Sequence, residues 1–181
     1  MNNFDKLKMT ELVDLLNFVS QICHNGYNSQ SIYIMLNSLL TPLIGKVIAR
    51  IERESASATD DFQKRDVLDL QRSFIAFLIA LSNDHLNSLW LTAENKETLT
   101  NIINLMLSYI YAYHQQQSSG VSDGNGKVDL NLVKISIGEL NALVQGLGSG
   151  KVIDPEDTFK NDNAVFESFE SVLINNKTPS C

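Results

Sequence analysis

At 181 residues the chain can be one domain or a piece of a larger one, and it can bury roughly 70% of the surface its unfolded form exposes. Apolar residues make up 44% and charged residues 19%, which excludes a disordered or collagen-like chain, and nine glycines and three prolines are too few for an all-β fold full of tight turns. Fourteen Lys and Arg against 21 Asp and Glu leave a net charge of -7, which excludes a compact, highly basic nucleic-acid binder but not a local basic patch.

Helical periodicity dominates from the start. Leu12, Leu15, Leu16, Val19, Ile22 and Cys23 recur at three- and four-residue steps, the mark of one apolar helix face, with Thr10 placed to cap it and Gly26 to end it. A second stretch, about Ser29 to Glu54, carries Ile32, Met35, Leu36, Leu39, Leu40, Leu43, Ile44, Val47, Ile48 and Ile51. Pro42 removes a backbone donor in its middle, so a kink or two abutting helices are expected there. Ser55 to Asp60 reads as a small polar linker.

The third helix starts near Asp60 or Asp61 and carries Phe62, Val67, Leu70, Phe74, Phe77, Leu78 and Leu81. Between Phe74 and Leu81 it is apolar nearly all round, which predicts neighbours on several sides. A short helix is expected over His85 to Leu91, anchored by Trp90, and a long one from about Glu94 to His114 with Ile102, Ile103, Leu105, Met106, Tyr109, Ile110 and Tyr113 on its face. Gln115 to Lys127 reads as a flexible polar loop that cannot bury enough apolar surface to order itself. Asp129 can cap a helix bearing Leu132, Val133, Ile135, Ile137, Leu140, Leu143, Val144 and Leu147, ended by Gly146, Gly148 and Gly150. Asp154 before Pro155 signals one more start, followed by a weaker pattern through Phe159, Val165, Phe166, Phe169, Val172 and Leu173. No stretch alternates like a strand. Antiparallel helix pairs of about 40 residues fit stacked HEAT- or armadillo-like repeats, although periodicity alone fits a closed bundle as well.

Targeting signals are not evident. The first residues hold no apolar signal core, Asn2 excludes N-myristoylation, and no uninterrupted apolar run nears the ~18 residues of a membrane span, so no membrane insertion is expected. Cys23 and Cys181 cannot make a disulfide framework or a four-cysteine zinc site, and free thiols in a reducing cytosolic or nuclear setting are expected. Asn176-Lys177-Thr178 fits a glycosylation sequon, but Pro179 follows it and chance explains it better.

Chemistry-bearing patterns are sparse. Placing Gly126 at the sixth position of a calcium loop puts Val121 and Leu132 where the first carboxylate and the bidentate glutamate belong, so a loop is favoured over a cation site. Cys23 and His24 lack further ligands, and Cys23 fits the apolar stripe. The acidic cluster Asp60, Asp61, Asp66 and Asp69 suits a helix start, and Lys64 interrupts a metal-diphosphate pattern. No nucleophile elbow, Walker loop or dinucleotide glycine fingerprint occurs, so neither catalysis, a cofactor, a metal nor a small-molecule substrate is expected. All four arginines, Arg50, Arg53, Arg65 and Arg72, lie within a short span together with Lys46 and Lys64. They could form a phosphate-contacting ridge. Glu52, Glu54, Asp60, Asp61, Asp66 and Asp69 balance them, which favours intrahelical pairing. Asp154 to Glu170 holds six carboxylates against one lysine and would repel a nucleic-acid backbone or suit a basic partner.

Several runs are similar to the exportin-T family, tRNA export receptors of the importin-β (karyopherin) superfamily. Lys64 to Leu78, with Arg72-Ser73-Phe74-Ile75-Ala76-Phe77-Leu78 at its end, resembles the family's arginine-flanked helix. Upstream, Ile34 to Ile44 with Leu39-Leu40-Thr41-Pro42-Leu43 resembles its Leu-Leu-x-Pro-Leu helix. Downstream, Lys134 to Val144 with Gly148-Ser149-Gly150 resembles a helix ending in a Gly-Gly turn, and Asn175 to Cys181 a Pro-Ala-Cys-Phe stretch. The sequence departs from the family in its polar insertion at Gln115 to Lys127 and in lacking a Trp before Gly148. The resemblance implies an interior piece of a HEAT-repeat α-solenoid whose concave face wraps mature tRNA with Ran in its GTP form. It also implies passage through the nuclear pore and shuttling between nucleus and cytoplasm, with the Ran-binding repeats outside this chain. It fixes no tRNA-contact residue, so Arg50, Arg53, Lys64, Arg65 and Arg72 are candidates on charge alone. The runner-up is an unrelated helical protein-interaction module whose apolar grooves hold partner helices.

Overall fold

A computed structural model describes residues 6–26, 30–84, 86–119 and 128–148. Helix α1 (Met9–Gly26) leads to α2 (Gln30–Ser57) and α3 (Asp61–Asn83); a 3-10 helix (Leu86–Leu91) precedes α4 (Lys96–Ser119) and α5 (Leu130–Gly148). The described residues contain no strand, and the fold is all-α. The helix expected beyond Pro155 lies outside them.

Local chemistry sets the helix starts. Lys8, not Thr10, takes the cap position of α1. Its carbonyl receives the Leu12 amide at 3.1 Å and its own amide donates to Glu11 Oε2 at 2.7 Å, the returning half of a capping box. Asp60 caps α3 by accepting the Gln63 amide at 2.8 Å, and the Gln63 side chain accepts the Thr59 amide at 3.0 Å. Asp129 caps α5, its Oδ1 accepting the Leu132 amide at 2.7 Å.

Two helices run further than their sequences suggested. The α2 helix is continuous through Pro42 and does not split in two. Pro42 and Ser38, whose carbonyl loses its donor, are both exposed, so water can satisfy the freed acceptor. It also continues to Ser57, taking in part of the expected linker. The α4 helix continues to Ser119, so Gln115 to Ser119 are helical rather than loop; residues 120–127 lie outside the described set.

The packing follows a two-layer order. Helix α1 lies chiefly against α3, and α3 against α5; α2 meets α4. Between layers α2 packs on α3 and α4 on α5. Each helix therefore meets its second neighbour in its own layer and an adjacent helix in the other, as in stacked helix pairs. The core holds Leu16, Leu36, Leu40, Leu43, Phe74, Phe77, Leu81, Ile103 and Met106, with Trp90 sealing it from the 3-10 helix. Phe74 to Leu81 is enclosed on several sides, because α3 is the central rung. Four residues of the expected stripes are exposed. Phe62 is 73% exposed, Ile137 51%, Val144 44% and Met35 38%, while Tyr33 is buried in α2. Ser31–Ser57 is apolar and long enough to cross a membrane by composition, contrary to the expectation from uninterrupted runs. Its Leu36, Leu40, Leu43, Ile44, Val47 and Ile51 are spent in this core.

Candidate nucleic-acid interface

The five candidate cations occupy the end of α2 and the first half of α3, but their electrostatic surroundings divide them. Arg50 Nε lies 2.9 Å from Glu54 Oε1 one turn on, and Arg53 Nη2 lies 3.3 Å from the same oxygen. Arg72 reaches across to α5, its Nη2 2.7 Å from Asp129 Oδ2, with Asp69 Oδ1 3.8 Å from Nη1. Arg50 and Arg53 pair within α2 as the acidic balance of the sequence suggested, whereas the nearer partner of Arg72 is Asp129, a carboxylate outside that balance and outside α3. Lys64 and Arg65 are exposed and form no ion pair with any described residue. A phosphate could reach these two without displacing a carboxylate. Carboxylate-bound guanidinium groups are weaker candidates, since each would first have to give up its partner.

Lys64 also stands on the rim of an open groove of about 420 Å³ shared by α3, α4 and the start of α5, where Val67, Leu68 and Leu132 form the wall and Gln71, Tyr109 and Asp129 add polar groups. Burial pushes the Tyr109 phenol above its ordinary value and the Glu52 charge adds to that, while Gln71 pulls the other way. Burial also pushes Asp129 up, but the Leu132 amide and Arg72 outweigh it and hold the carboxyl below its ordinary value. A second groove, about 500 Å³ between α2 and α4, is lined by Gly45, Glu52, Asn101, Asn104 and Ser108 among others, and includes no cation.

The other sequence candidates have structural roles. Asp60 is a helix cap, and among the described residues no three His, Cys, Asp or Glu side chains come together to hold a metal. Cys23 is fully buried; burial, with Asp84 beside it, pushes its thiol up to about 12, far from a reactive thiolate. His24 Nδ1 instead contacts Asp84 Oδ1 at 3.2 Å, joining the ends of α1 and α3. Residues 120–127, Gly150 and the acidic stretch Asp154 to Glu170 lie outside the described set.

Two polar clusters, each built around a buried residue, escaped sequence reasoning. Thr41 Oγ1 on α2 lies 2.6 Å from Asn95 Oδ1 and 2.8 Å from the Glu94 carbonyl, and Asn95 Nδ2 donates to Asn37 Oδ1 at 2.7 Å. Thr92 Oγ1 donates to that same Asn37 oxygen at 2.8 Å. Residues one turn apart on α2 thus clamp the turn that starts α4. In the second cluster, Ser82 Oγ on α3 lies 2.7 Å from Glu139 Oε1 on α5 and 3.1 Å from Asn87 Oδ1 on the 3-10 helix. Glu139 is 1% exposed and its Oε2 has no hydrogen-bond partner among the described residues. Burial pushes its carboxyl up to about 7 despite the Ser82 contact, so it favours the neutral form.

Known proteins align with most of the chain. The family model described as Exportin-T matches residues 4–181. The Exportin-T of Scheffersomyces stipitis is 31% identical over 175 residues, covering 96% of this chain and 16% of that protein. Those of Debaryomyces hansenii and Candida albicans are 29% identical over 178 residues and 30% over 174, covering 94% and 93% of this chain and 16% of each relative. The chain therefore spans about 16% of the length of these relatives. No solved structure gives a significant match. A helical stack whose sequence matches one family from residue 4 to residue 181 is a member of it: the chain belongs to the exportin-T family.

Proposed function

We propose that this chain is a HEAT-like helical segment, spanning residues 1–181, of a receptor that binds mature tRNA together with Ran in its GTP form and carries it through the nuclear pore to the cytoplasm. Family membership across almost the whole chain is the observation that carries this reading. The two-layer packing supports it, because a stack that meets only its neighbours can flex along its length and wrap a large cargo. The action is binding coupled to flexing, not catalysis. Recognition would rest on RNA shape and backbone rather than base sequence. The Ran contact belongs to repeats outside this chain. Nuclear pore proteins are further partners, and the receptor shuttles between nucleus and cytoplasm.

Within this segment Lys64 and Arg65 are the residues proposed to meet phosphate, with Arg50, Arg53 and Arg72 secondary because carboxylates hold them. The test is Lys64→Glu with Arg65→Glu in a full-length receptor carrying this segment, measured as tRNA binding with Ran in its GTP form over a salt series. Affinity should fall several-fold, and the salt slope should shrink by about one per phosphate contact removed. Unchanged affinity and slope would place the RNA elsewhere. A receptor that binds no tRNA even unaltered would overturn the function itself.

A further inference from the structure

The groove of about 500 Å³ between α2 and α4 includes none of the cations proposed to meet RNA. At one end Thr41 Oγ1 of α2 lies 2.9 Å from Thr98 Oγ1 of α4, 57 positions on. At the other the Glu52 charge acts on Tyr109 across the same interval of sequence. The two helices therefore run side by side in one direction. Gly45, Ala49 and Glu52 follow one another along the α2 wall, and Asn101, Asn104 and Ser108 along the α4 wall, each set within two turns of one helix face. Gly45 and Ala49 leave the α2 wall low, and packing does not demand it. A β-carbon at Gly45 would meet nothing within 4 Å, whereas one at Gly146 would strike the Asn87 amide. The walls are polar without being basic. Among the described residues no Lys or Arg lines the groove, Glu52 does, and Glu97 continues the α4 face one turn before Asn101. Glu97, Asn101 and Asn104 are exposed, and neither asparagine side chain is hydrogen-bonded to another described residue.

We infer that this groove binds an extended peptide segment of a partner protein, one that carries two basic side chains about five residues apart. Charge selects the class of partner. An RNA backbone would meet Glu52 and Glu97 with no lining cation to neutralise it, whereas a lysine or arginine gains a charge-assisted contact at each carboxylate. Amide chemistry selects the conformation. An asparagine side chain offers a donor and an acceptor side by side, the complement of a peptide group, and Asn101 and Asn104 present two of them one turn apart. A helical peptide has already paired its backbone groups with one another; an extended one brings them free. Spacing follows from the register. Glu97 stands 12 residues before Tyr109, which is level with Glu52, so the two carboxylates lie about 18 Å apart along the axis. An extended chain covers that distance in five or six residues at about 3.3 Å each. This site and the RNA contact proposed at Lys64 and Arg65 are independent of one another.

The probe is a fluorescent peptide, Ser-Lys-Ala-Ser-Ala-Ser-Lys-Ser, titrated into the 181-residue chain and read by polarisation at low salt. It should bind at least tenfold tighter than the same peptide with glutamate in place of both lysines, and at least fivefold tighter than one of the same composition with adjacent lysines. N-methylation of the amides between the lysines, which leaves both charges, should weaken binding at least fivefold. Gly45→Leu fills the groove from a helix position that faces open space, so this variant should melt no lower than the parent yet bind at least fivefold more weakly. Glu52→Gln and Glu97→Gln should each weaken binding at least threefold and flatten its salt dependence. No binding, equal binding of the two lysine spacings, or indifference to N-methylation or to Gly45→Leu would each overturn the proposal. So would a uridine hexamer whose binding is lost in Gly45→Leu, which would make RNA the occupant, or self-association abolished by Gly45→Leu, which would make it a second copy of the chain.

Discussion

Arg72 and Asp129 join the middle of α3 to the first turn of α5, with Arg72 Nη2 2.7 Å from Asp129 Oδ2. The same carboxylate caps α5 through its other oxygen, at 2.7 Å from the Leu132 amide. Asp129 thus fixes both where α5 begins and which helix it begins against. Asp129→Ala should cost about 1–2 kcal/mol, mostly through the lost cap. Arg72→Gln should cost less, about 0.5–1 kcal/mol, because the pair is partly exposed. Urea denaturation of both variants checks the order; an equal or larger loss for Arg72→Gln would move the weight from the cap to the pair.

Glu139 gives the fold a pH slope. In the unfolded chain its carboxyl titrates near 4.5, and in the folded chain burial raises it to about 7. Below 4.5 both states hold the proton. Between these values the folded state keeps a proton that the unfolded state has lost, so stability falls as pH rises, by at most roughly 3 kcal/mol once pH 7 is passed. Glu139→Gln keeps the shape and removes the titration. Its stability relative to the parent should rise from pH 5 to pH 8, and denaturant melts at both values measure the difference. A constant difference would mean that Glu139 ionises at its ordinary value.

Much of this architecture can be read from spacing, and the exceptions have physical causes. Helix positions followed from apolar periodicity, and Asp129 is a recognisable cap because the partner of a cap lies three residues away, whereas charge alone does not choose between Asp60 and Asp61 at the start of α3. Periodicity does not reveal which faces find neighbours. Phe62 fits the α3 pattern but precedes the first buried residue, Val67, and projects into solvent. Ile137 and Val144 keep the α5 rhythm yet are exposed. Thr41 and Asn95 are 54 positions apart, so no local pattern could pair them. The candidate site was half legible. Charge counts found the arginines and the carboxylate that engages Arg50, but only the folded chain brings Asp129 to Arg72 and separates Lys64 and Arg65 from the paired cations.

Asn95 is fully buried and bridges two α2 residues. Asn95→Asp keeps the oxygen near Thr41 but sets a carboxylate against Asn37 Oδ1, where an amide donor had been. It should cost about 2–3 kcal/mol at pH 7, since Asn37 Oδ1 loses one of its two donors and faces a carboxylate instead, and a charge is added at a fully buried position. Part of that loss should return at pH 4 as the carboxyl takes up a proton. Thermal melts at both pH values check this, and a loss independent of pH would leave the hydrogen-bond argument without its charge component.

The isolated chain should bind tRNA only at micromolar or weaker Kd in physiological salt, because a net charge of -7 opposes the few cations not already paired. Filter binding across a salt series checks this. Tight, salt-resistant binding would require a recognition surface that does not depend on Lys64 and Arg65.

Gly146 meets Asn87 where α5 crosses the 3-10 helix, and a methyl group there would collide with the Asn87 side-chain amide. Asn87 is itself buried and lies beside Ser82, so its amide cannot swing out into water without leaving that cluster. Gly146→Ala should therefore cost about 1–3 kcal/mol by overpacking, against the gain of several tenths that Ala normally brings to a helix interior. Shortening the opposing side chain tests the cause: in an Asn87→Ser background the same Gly146→Ala change should become neutral or stabilising. A double-mutant cycle followed by urea denaturation measures the coupling, and additive losses would show that the close approach of these two residues does not govern the packing of α5 on the 3-10 helix.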